Sequence, residues 1–80
     1  ARRELDLALE LSPRLAQAVA LRGFVLAGEN RLDQALAAFE HAISLDGGLG
    51  NAWLGRGLVK IRRGRLDEGR RDIEVAAAVD

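Results

Sequence analysis

The sequence contains no cysteine, which excludes both a disulfide framework and a thiolate metal site. A cysteine-free chain suits reducing and oxidising surroundings alike, so the cell compartment stays open. Aromatic residues are also scarce, because Phe24, Phe39 and Trp53 are the only ones. Hydrophobic residues nevertheless make up 49% of the 80 residues. A core built from Leu, Ile, Val and Ala therefore fits one small domain or a piece of a longer one.

An excess of charge of one sign is absent as well, since 12 basic residues balance 12 acidic ones. No global field therefore attracts nucleic acid or an anionic membrane. No apolar run approaches the roughly 18 residues of a membrane helix. The first residues, ARRELDLALEL, are interrupted by Glu4, Asp6 and Glu10 and do not resemble a signal peptide. Lys60 is the only lysine, and the preference for Arg, Ala, Gly and Leu suggests a GC-rich bacterial genome.

An internal repeat organises the sequence. Residues 16–46 align without a gap on residues 50–80 at an offset of 34 positions. The identical pairs are Ala18 and Ala52, Arg22 and Arg56, Gly23 and Gly57, Val25 and Val59, Arg31 and Arg65, Leu32 and Leu66, Asp33 and Asp67, Glu40 and Glu74, Ala42 and Ala76, and Asp46 and Asp80. We call residues 16–49 the first unit and residues 50–80 the second unit.

Apolar residues in each unit recur at helical spacing. Leu32, Leu36, Phe39 and Ile43 follow the i, i+4, i+7, i+11 pattern of one helical face. Asn30 and its counterpart Gly64 are residue types that tolerate the left-handed conformation after a helix. The pattern predicts an all-α chain of five helices. Their expected ranges are Arg2–Glu10, Leu15–Gly28, Leu32–Leu45, Asn51–Arg63 and Leu66–Val79.

A helix–turn–helix period of 34 residues resembles the tetratricopeptide repeat. The residues that carry the resemblance are large Val19 or Trp53, glycine Gly23 or Gly57, small Ala35 or Gly69, apolar Phe39 or Ile73, and small Ala42 or Ala76. In the preceding fragment, Ala1, Leu5 and Ala8 take second-helix positions and Pro13 takes the closing proline. The resemblance implies antiparallel helix pairs stacked into a right-handed α-solenoid.

The same resemblance divides the chain into residues 1–15, an incomplete repeat and its corner, followed by residues 16–49 and 50–80 as two repeats, the second truncated. Two and a half repeats are marginal for independent stability, and solenoids need polar capping helices. We therefore expect a segment of a longer repeat protein.

Two details of the helix pairs follow from the pattern. Gly23 and Gly57 are expected where two helices approach too closely for a Cβ, with Ala35, Ala42, Gly69 and Ala76 facing them. Arg22 and Arg56 stand where the repeat usually has leucine. We favour the interpretation that their aliphatic stems cover the core and their guanidinium groups point outward. The alternative is a buried ladder in which Glu40 and Glu74 pair with them.

In this family the first helix of each unit lines the concave surface, and this implies a candidate binding face. Its residues are Gln17, Ala20, Phe24, Ala27 and Gly28 in the first unit, and Asn51, Leu54, Leu58, Ile61 and Arg62 in the second. Some members grip a terminal carboxylate with Lys and Asn there. Apolar residues occupy those places here, so we reject that clamp. An apolar groove instead suits an amphipathic helix or an apolar extended peptide of a partner protein. Alternatively, neighbouring segments of the parent protein or a second copy cover the face.

The sequence gives little support for catalysis, phosphate binding or nucleic-acid binding. His41 is the only histidine, and Ser44, His41 and Asp46 lie at one helix end without an oxyanion device. The glycine-containing stretch GRGLVKIRRG lacks the Lys-Ser/Thr ending of a phosphate loop. The basic run from Lys60 to Arg71 has carboxylates nearby and no aromatic residue to stack bases. We expect a non-catalytic protein-interaction scaffold without metal, cofactor, nucleic acid or membrane. The alternative function is a structural spacer or self-association segment.

Overall fold

A computed structural model describes the backbone of residues 2–79 and the side chains of residues 14–79. This part of the chain forms four α-helices and no strand, which confirms the all-α prediction. The helices are α1 (Arg2–Gly28), α2 (Leu32–Leu45), α3 (Gly50–Arg62) and α4 (Leu66–Val79). The ranges of α2 and α4 are those predicted, and α3 begins and ends one residue earlier than predicted.

The chain leaves α1 and α3 through the same backbone conformation. Asn30 has a φ of 64° and Gly64 a φ of 85°, so both are left-handed, as the repeat predicts. After each of them an amide N–H reaches back to the helix. Arg31 donates to the carbonyl of Leu26 at 2.9 Å, and the next unit repeats this bond between Arg65 and Lys60 at 2.8 Å. These hydrogen bonds satisfy carbonyl groups that a helix end otherwise leaves unpaired.

The prediction of five helices is wrong, because the two expected helices Arg2–Glu10 and Leu15–Gly28 are one 27-residue helix, α1. Helices α1 and α3 are each followed by a left-handed residue, Asn30 and Gly64, whereas residues 1–22 contain neither Asn nor Gly to adopt such a turn. Pro13 removes only one backbone donor, and the helix continues through it. Ala1, Asp80 and the side chains of Leu5 and Ala8 lie outside the described residues, and with them the packing roles predicted for Ala1, Leu5 and Ala8 and the pairing of Asp80 with Asp46.

The helices pack in chain order, α1 on α2, α2 on α3, and α3 on α4. Helix α1 also contacts α3, whereas no Cα atoms of α2 and α4 lie within 8 Å of each other in the described part of the chain. In α4 the apolar side chain of Ala76 is buried. The main core cluster lies on the other three helices and consists of Ala20, Ala35, Phe39, Ala42, Ala52 and Val59. Phe39 is its only large aromatic side chain and is completely buried.

Glycines determine how closely these helices approach. A Cβ on Gly57 would lie 2.6 Å from the carbonyl oxygen of Gly69, and a Cβ on Gly23 would lie 2.8 Å from the ring of Phe39. Close packing at Gly57 and Gly23 is thus confirmed. The contact of Gly23 differs from the expected one, because the ring of Phe39 faces it. Gly55, which was not predicted, would also meet this ring.

Candidate functional site

The residues predicted to bind a partner lie on neighbouring surfaces of α1 and α3. Two grooves there share the side chain of Phe24. The first has a volume of about 270 Å³ and is lined by Gln17, Ala20, Leu21, Phe24, Leu49 and Asn51. The second has a volume of about 330 Å³ and is lined by Phe24, Ala27, Phe39, Gly55, Leu58, Val59, Ile61 and Arg62. We call the two grooves with Leu54 the α1/α3 face.

The α1/α3 face exposes large apolar side chains. Phe24, Leu54 and Leu58 are 38%, 36% and 45% exposed, although Leu54 lines neither groove. Ala20 is buried and contributes only to the floor. Gly28 is exposed at the end of α1 and lines neither groove. Leu21 and Leu49 were not predicted for this face and extend its apolar lining.

The ring of Phe24 packs against the core through the ring of Phe39. Its centroid lies 4.9 Å from that of Phe39, and the two ring planes meet at 74° in an edge-to-face contact. Since Phe39 is fully buried, the contact fixes one side of Phe24 and leaves the other side in solvent. Phe24 is therefore a positioned apolar contact between the two grooves.

Arg62 borders the second groove, but its guanidinium already has partners. It donates one hydrogen bond of 3.0 Å to the carbonyl of Ala27 and another of 3.1 Å to Oδ1 of Asn30. Both acceptors lie at the end of α1, where carbonyl groups carry the negative end of the helix dipole. The next residue, Arg63, forms an ion pair of 2.9 Å with Asp33 in the first turn of α2. Arg62 therefore joins α3 to α1, and it was predicted as a ligand-facing residue.

A second feature is a group of charged side chains that joins α3 to α4 and is centred on Arg56. Its Nε and Nη2 atoms donate to the two carboxylate oxygens of Asp72 at 2.8 and 2.9 Å. Lys60 adds an ion pair of 3.0 Å to the same carboxylate. The guanidinium carbon of Arg56 also lies 4.7 Å from the centroid of the Trp53 ring, a cation–π contact. We call Arg56, Lys60 and Asp72 the ion-pair cluster.

Burial and neighbouring charges shift the pKa values of Asp72 and Arg56 in opposite directions. The Asp72 side chain is only 7% exposed, and burial on its own would raise the pKa of its carboxyl. The hydrogen bonds and positive charges of Arg56 and Lys60 outweigh burial and lower the pKa of Asp72 below its ordinary value. The hydrogen bond to Asp72 raises the pKa of Arg56, although burial opposes this change. Both groups are charged at neutral pH.

The favoured interpretation of the two repeat arginines is therefore wrong for Arg56. Its guanidinium is paired and mostly buried, as in the alternative, but its partner is Asp72 and not Glu74. The repeat could not indicate this pair, because the counterpart of Asp72 is Ala38. Arg22 is exposed and has no hydrogen-bond or ion-pair partner among the described side chains.

The residues weighed for catalysis in the sequence lie near the end of α2. The hydroxyl of Ser44 donates a hydrogen bond of 2.6 Å to the backbone carbonyl of His41 within this helix. Within residues 14–79, no three His, Asp or Glu side chains are grouped so that they could hold a metal ion. Among the described helices, none has the length and apolarity needed to cross a membrane.

The chain matches no protein-family model, and no curated protein is significantly similar to it.

Proposed function

We propose that the chain is a non-catalytic protein-interaction module of the tetratricopeptide type, and that the α1/α3 face receives an amphipathic helix or an apolar extended peptide. One observation carries this proposal. Phe24, Leu54 and Leu58 expose apolar surface beside two grooves that meet at Phe24. A contiguous apolar surface with concave parts is typical of a binding site.

The arrangement of the helices supports a curved stack. Helix α1 contacts α3, whereas α2 and α4 are further apart. A stack of helix pairs with this difference bends toward the side of α1 and α3. The α1/α3 face would then be the concave side of a right-handed α-solenoid. The repeated left-handed residues Asn30 and Gly64 support the same architecture, because each turns the chain in the same way between paired helices.

The chemistry of the lining favours an apolar ligand. Among the described side chains, Arg62 is the only charged one that lines either groove, and Ala27 and Asn30 already accept its hydrogen bonds. Gln17 and Asn51 offer side-chain amides at one end. A ligand with apolar side chains at helical or alternating spacing would cover Phe24 and Leu58, while amides at the rim would set its register.

Selection from a peptide display library against the wild-type protein, followed by titration, tests the proposal. We expect Phe24→Glu and Leu58→Glu to weaken the selected peptides by about tenfold or more, the equivalent of about 1.4 kcal/mol. Leu66→Glu is the matched control, since Leu66 is 62% exposed and lines neither groove. If all three variants bind like the wild type while circular dichroism shows them folded, the proposed face is wrong.

A neighbouring surface of α1 favours the alternative function, a structural spacer or self-association segment. Leu15, Leu21 and Val25, which we call the stripe on α1, are 53%, 65% and 55% exposed, and of the three only Leu21 also lines a groove of the α1/α3 face. The residues 34 positions later are Leu49, Gly55 and Val59. Gly55 lies against the ring of Phe39 on α2, Val59 belongs to the core, and Leu49 is half-buried against it. A helix from a neighbouring segment or a second copy could cover the stripe on α1 in the same way.

Sedimentation velocity over a wide range of protein concentrations tests this alternative. Self-association through the stripe predicts a sedimentation coefficient that rises with concentration in the wild type and stays constant in Val25→Glu. Val25 lines neither groove of the α1/α3 face, so the substitution leaves the first proposal intact. A wild-type protein that stays monomeric at the highest concentration argues against self-association.

A further inference from the structure

The two units differ at the positions of the ion-pair cluster. Arg56, Lys60 and Asp72 of the second unit correspond to Arg22, Leu26 and Ala38 of the first. The first unit therefore keeps the arginine but has a methyl group where the second unit has its carboxylate. In its place a groove of about 550 Å³ opens between α1 and α2, lined among others by Val19, Arg22, Leu26, Arg31, Ala38 and His41. We call it the outer groove.

We propose that the outer groove binds a carboxylate side chain of a partner protein, an Asp or Glu flanked by apolar residues, with Arg22 as its main donor. The second unit provides the geometric precedent. There, the equivalent arginine holds a carboxylate through two hydrogen bonds of 2.8 and 2.9 Å. In the first unit a partner supplies this group, because Ala38 cannot.

The charge of the outer groove matches a carboxylate. Arg22 and Arg31 both line it, and no acidic residue does so among the described side chains. Within residues 14–79, the only carboxylate paired with Arg31 is that of Glu29, at 3.6 Å, and both side chains are more than half exposed. An exposed pair of this length contributes little and leaves Arg31 available. A guanidinium binds a carboxylate through two parallel hydrogen bonds, which is the geometry of Arg56.

The apolar lining favours a peptide over a phosphate group of a nucleic acid. Val19, Leu26 and Ala38 provide carbon surface beside Arg22, which suits apolar residues on either side of the acid. The outer groove is also distinct from the α1/α3 face. Arg22 and Phe24 are two residues apart on α1, so their side chains point about 160° apart around the helix.

Nuclear magnetic resonance titration with a defined probe tests the proposal. The probe is acetyl-Leu-Asp-Leu-amide, and the control peptide has Asn in place of Asp. We expect the Asp peptide to shift the signals of Arg22, Ala37 and Ala38 and to bind about tenfold more tightly than the Asn peptide, the effect of one charge-assisted hydrogen bond. Arg22→Gln removes this preference. Arg70→Gln, an exposed arginine on α4, retains it.

Other outcomes overturn the proposal. These are equal binding of the Asp and Asn peptides, no binding of either, or inorganic phosphate competing as strongly as the Asp peptide. Phe24→Glu should leave the titration unchanged, so failure here is distinguishable from failure of the α1/α3 face.

A second test needs no ligand. If Arg22 can hold a carboxylate at this place, Ala38→Asp has a higher Tm than the uncharged Ala38→Asn. The difference between the two disappears when Arg22 is also replaced by Gln. A lower Tm for Ala38→Asp than for Ala38→Asn, or a difference that persists without Arg22, contradicts the proposal.

Discussion

Gly57 and Gly69 face each other so closely that a Cβ on either one would lie 2.6 or 2.5 Å from the carbonyl oxygen of the other. Neither contact involves a flexible side chain that could move aside. Helices α3 and α4 therefore approach each other backbone to backbone at this point. The short distance between α3 and α4 therefore requires that neither position has a side chain.

Replacing Gly57 by Ala tests this approach. We expect a loss of about 1–3 kcal/mol in the free energy of unfolding from overpacking, although alanine gains about 1 kcal/mol in helix propensity. Urea denaturation measures the change. Gly28→Ala is the matched control, because a Cβ there meets nothing within 4 Å. A Gly57→Ala protein as stable as the wild type would show that the two helices separate easily.

Phe39 and Gly55 form a coupled pair in the core. The ring of Phe39 fills the space above Gly55, so we expect Gly55→Ala to destabilise the wild type. Phe39→Ala alone should lose about 3–5 kcal/mol because it leaves a cavity. In a Phe39→Leu background, Gly55→Ala should cost less than in the wild type. Equal costs in both backgrounds, measured by thermal and urea unfolding, would mean that the two residues do not share this space.

Asp72 should be the most important charged residue for stability. Asp72→Asn leaves Arg56 and Lys60 without their buried carboxylate, and removal of one partner from such a pair costs about 3–5 kcal/mol. Asp67→Asn is the control, since Asp67 is exposed in the first turn of the same helix. A loss no larger than that of Asp67→Asn would contradict the role given to the ion-pair cluster.

The contribution of Asp72 should also depend on pH in a defined direction. Its pKa in the folded state lies below the ordinary value of 3.8. The folded state therefore binds fewer protons than the unfolded state, and stability from Asp72 is present above this value. It is lost as the pH falls through the lowered pKa. Urea unfolding between pH 6 and pH 3 should show the difference between wild type and Asp72→Asn shrinking only at the acidic end. A difference that shrinks already near neutral pH contradicts this assignment.

We expect Arg62 to contribute more to the packing of α3 against the end of α1 than to the binding of a ligand. Arg62→Gln removes hydrogen bonds to Ala27 and Asn30, and we expect a loss of about 0.5–1.5 kcal/mol because the groups are exposed. Hydrogen exchange should rise at the end of α1 around residues 26–30. Unchanged exchange there would show that this packing does not depend on Arg62.

The features that could be predicted from the sequence are those that both units repeat. The ends of α1 and α3 followed from Asn30 and Gly64, because few residue types accept a left-handed backbone. Gly57 was identifiable from its counterpart Gly23. Gly55 was missed because its counterpart is Leu21, so the repeat carried no signal for it.

Two further predictions from the sequence were wrong, the partner of Arg56 and the corner at Pro13. Asp72 has Ala38 as its counterpart, and only the packing of α3 on α4 brings it to Arg56, 16 residues away. The corner expected at Pro13 came from the spacing of the family pattern. Local chemistry differs there, since no Asn or Gly precedes Pro13 to reverse the chain. The positions of the predicted site residues on α1 and α3 are described by the structure, whereas their binding role stays a prediction.

The most direct test of the central claim, that the α1/α3 face binds an apolar peptide, is chemical-shift mapping with isotope-labelled protein and the tightest peptide from the display selection. The account predicts the largest shifts at Gln17, Phe24, Leu54 and Leu58, and small shifts along α4. Shifts concentrated on α4 or in the outer groove, with Phe24 and Leu58 unchanged, would contradict it.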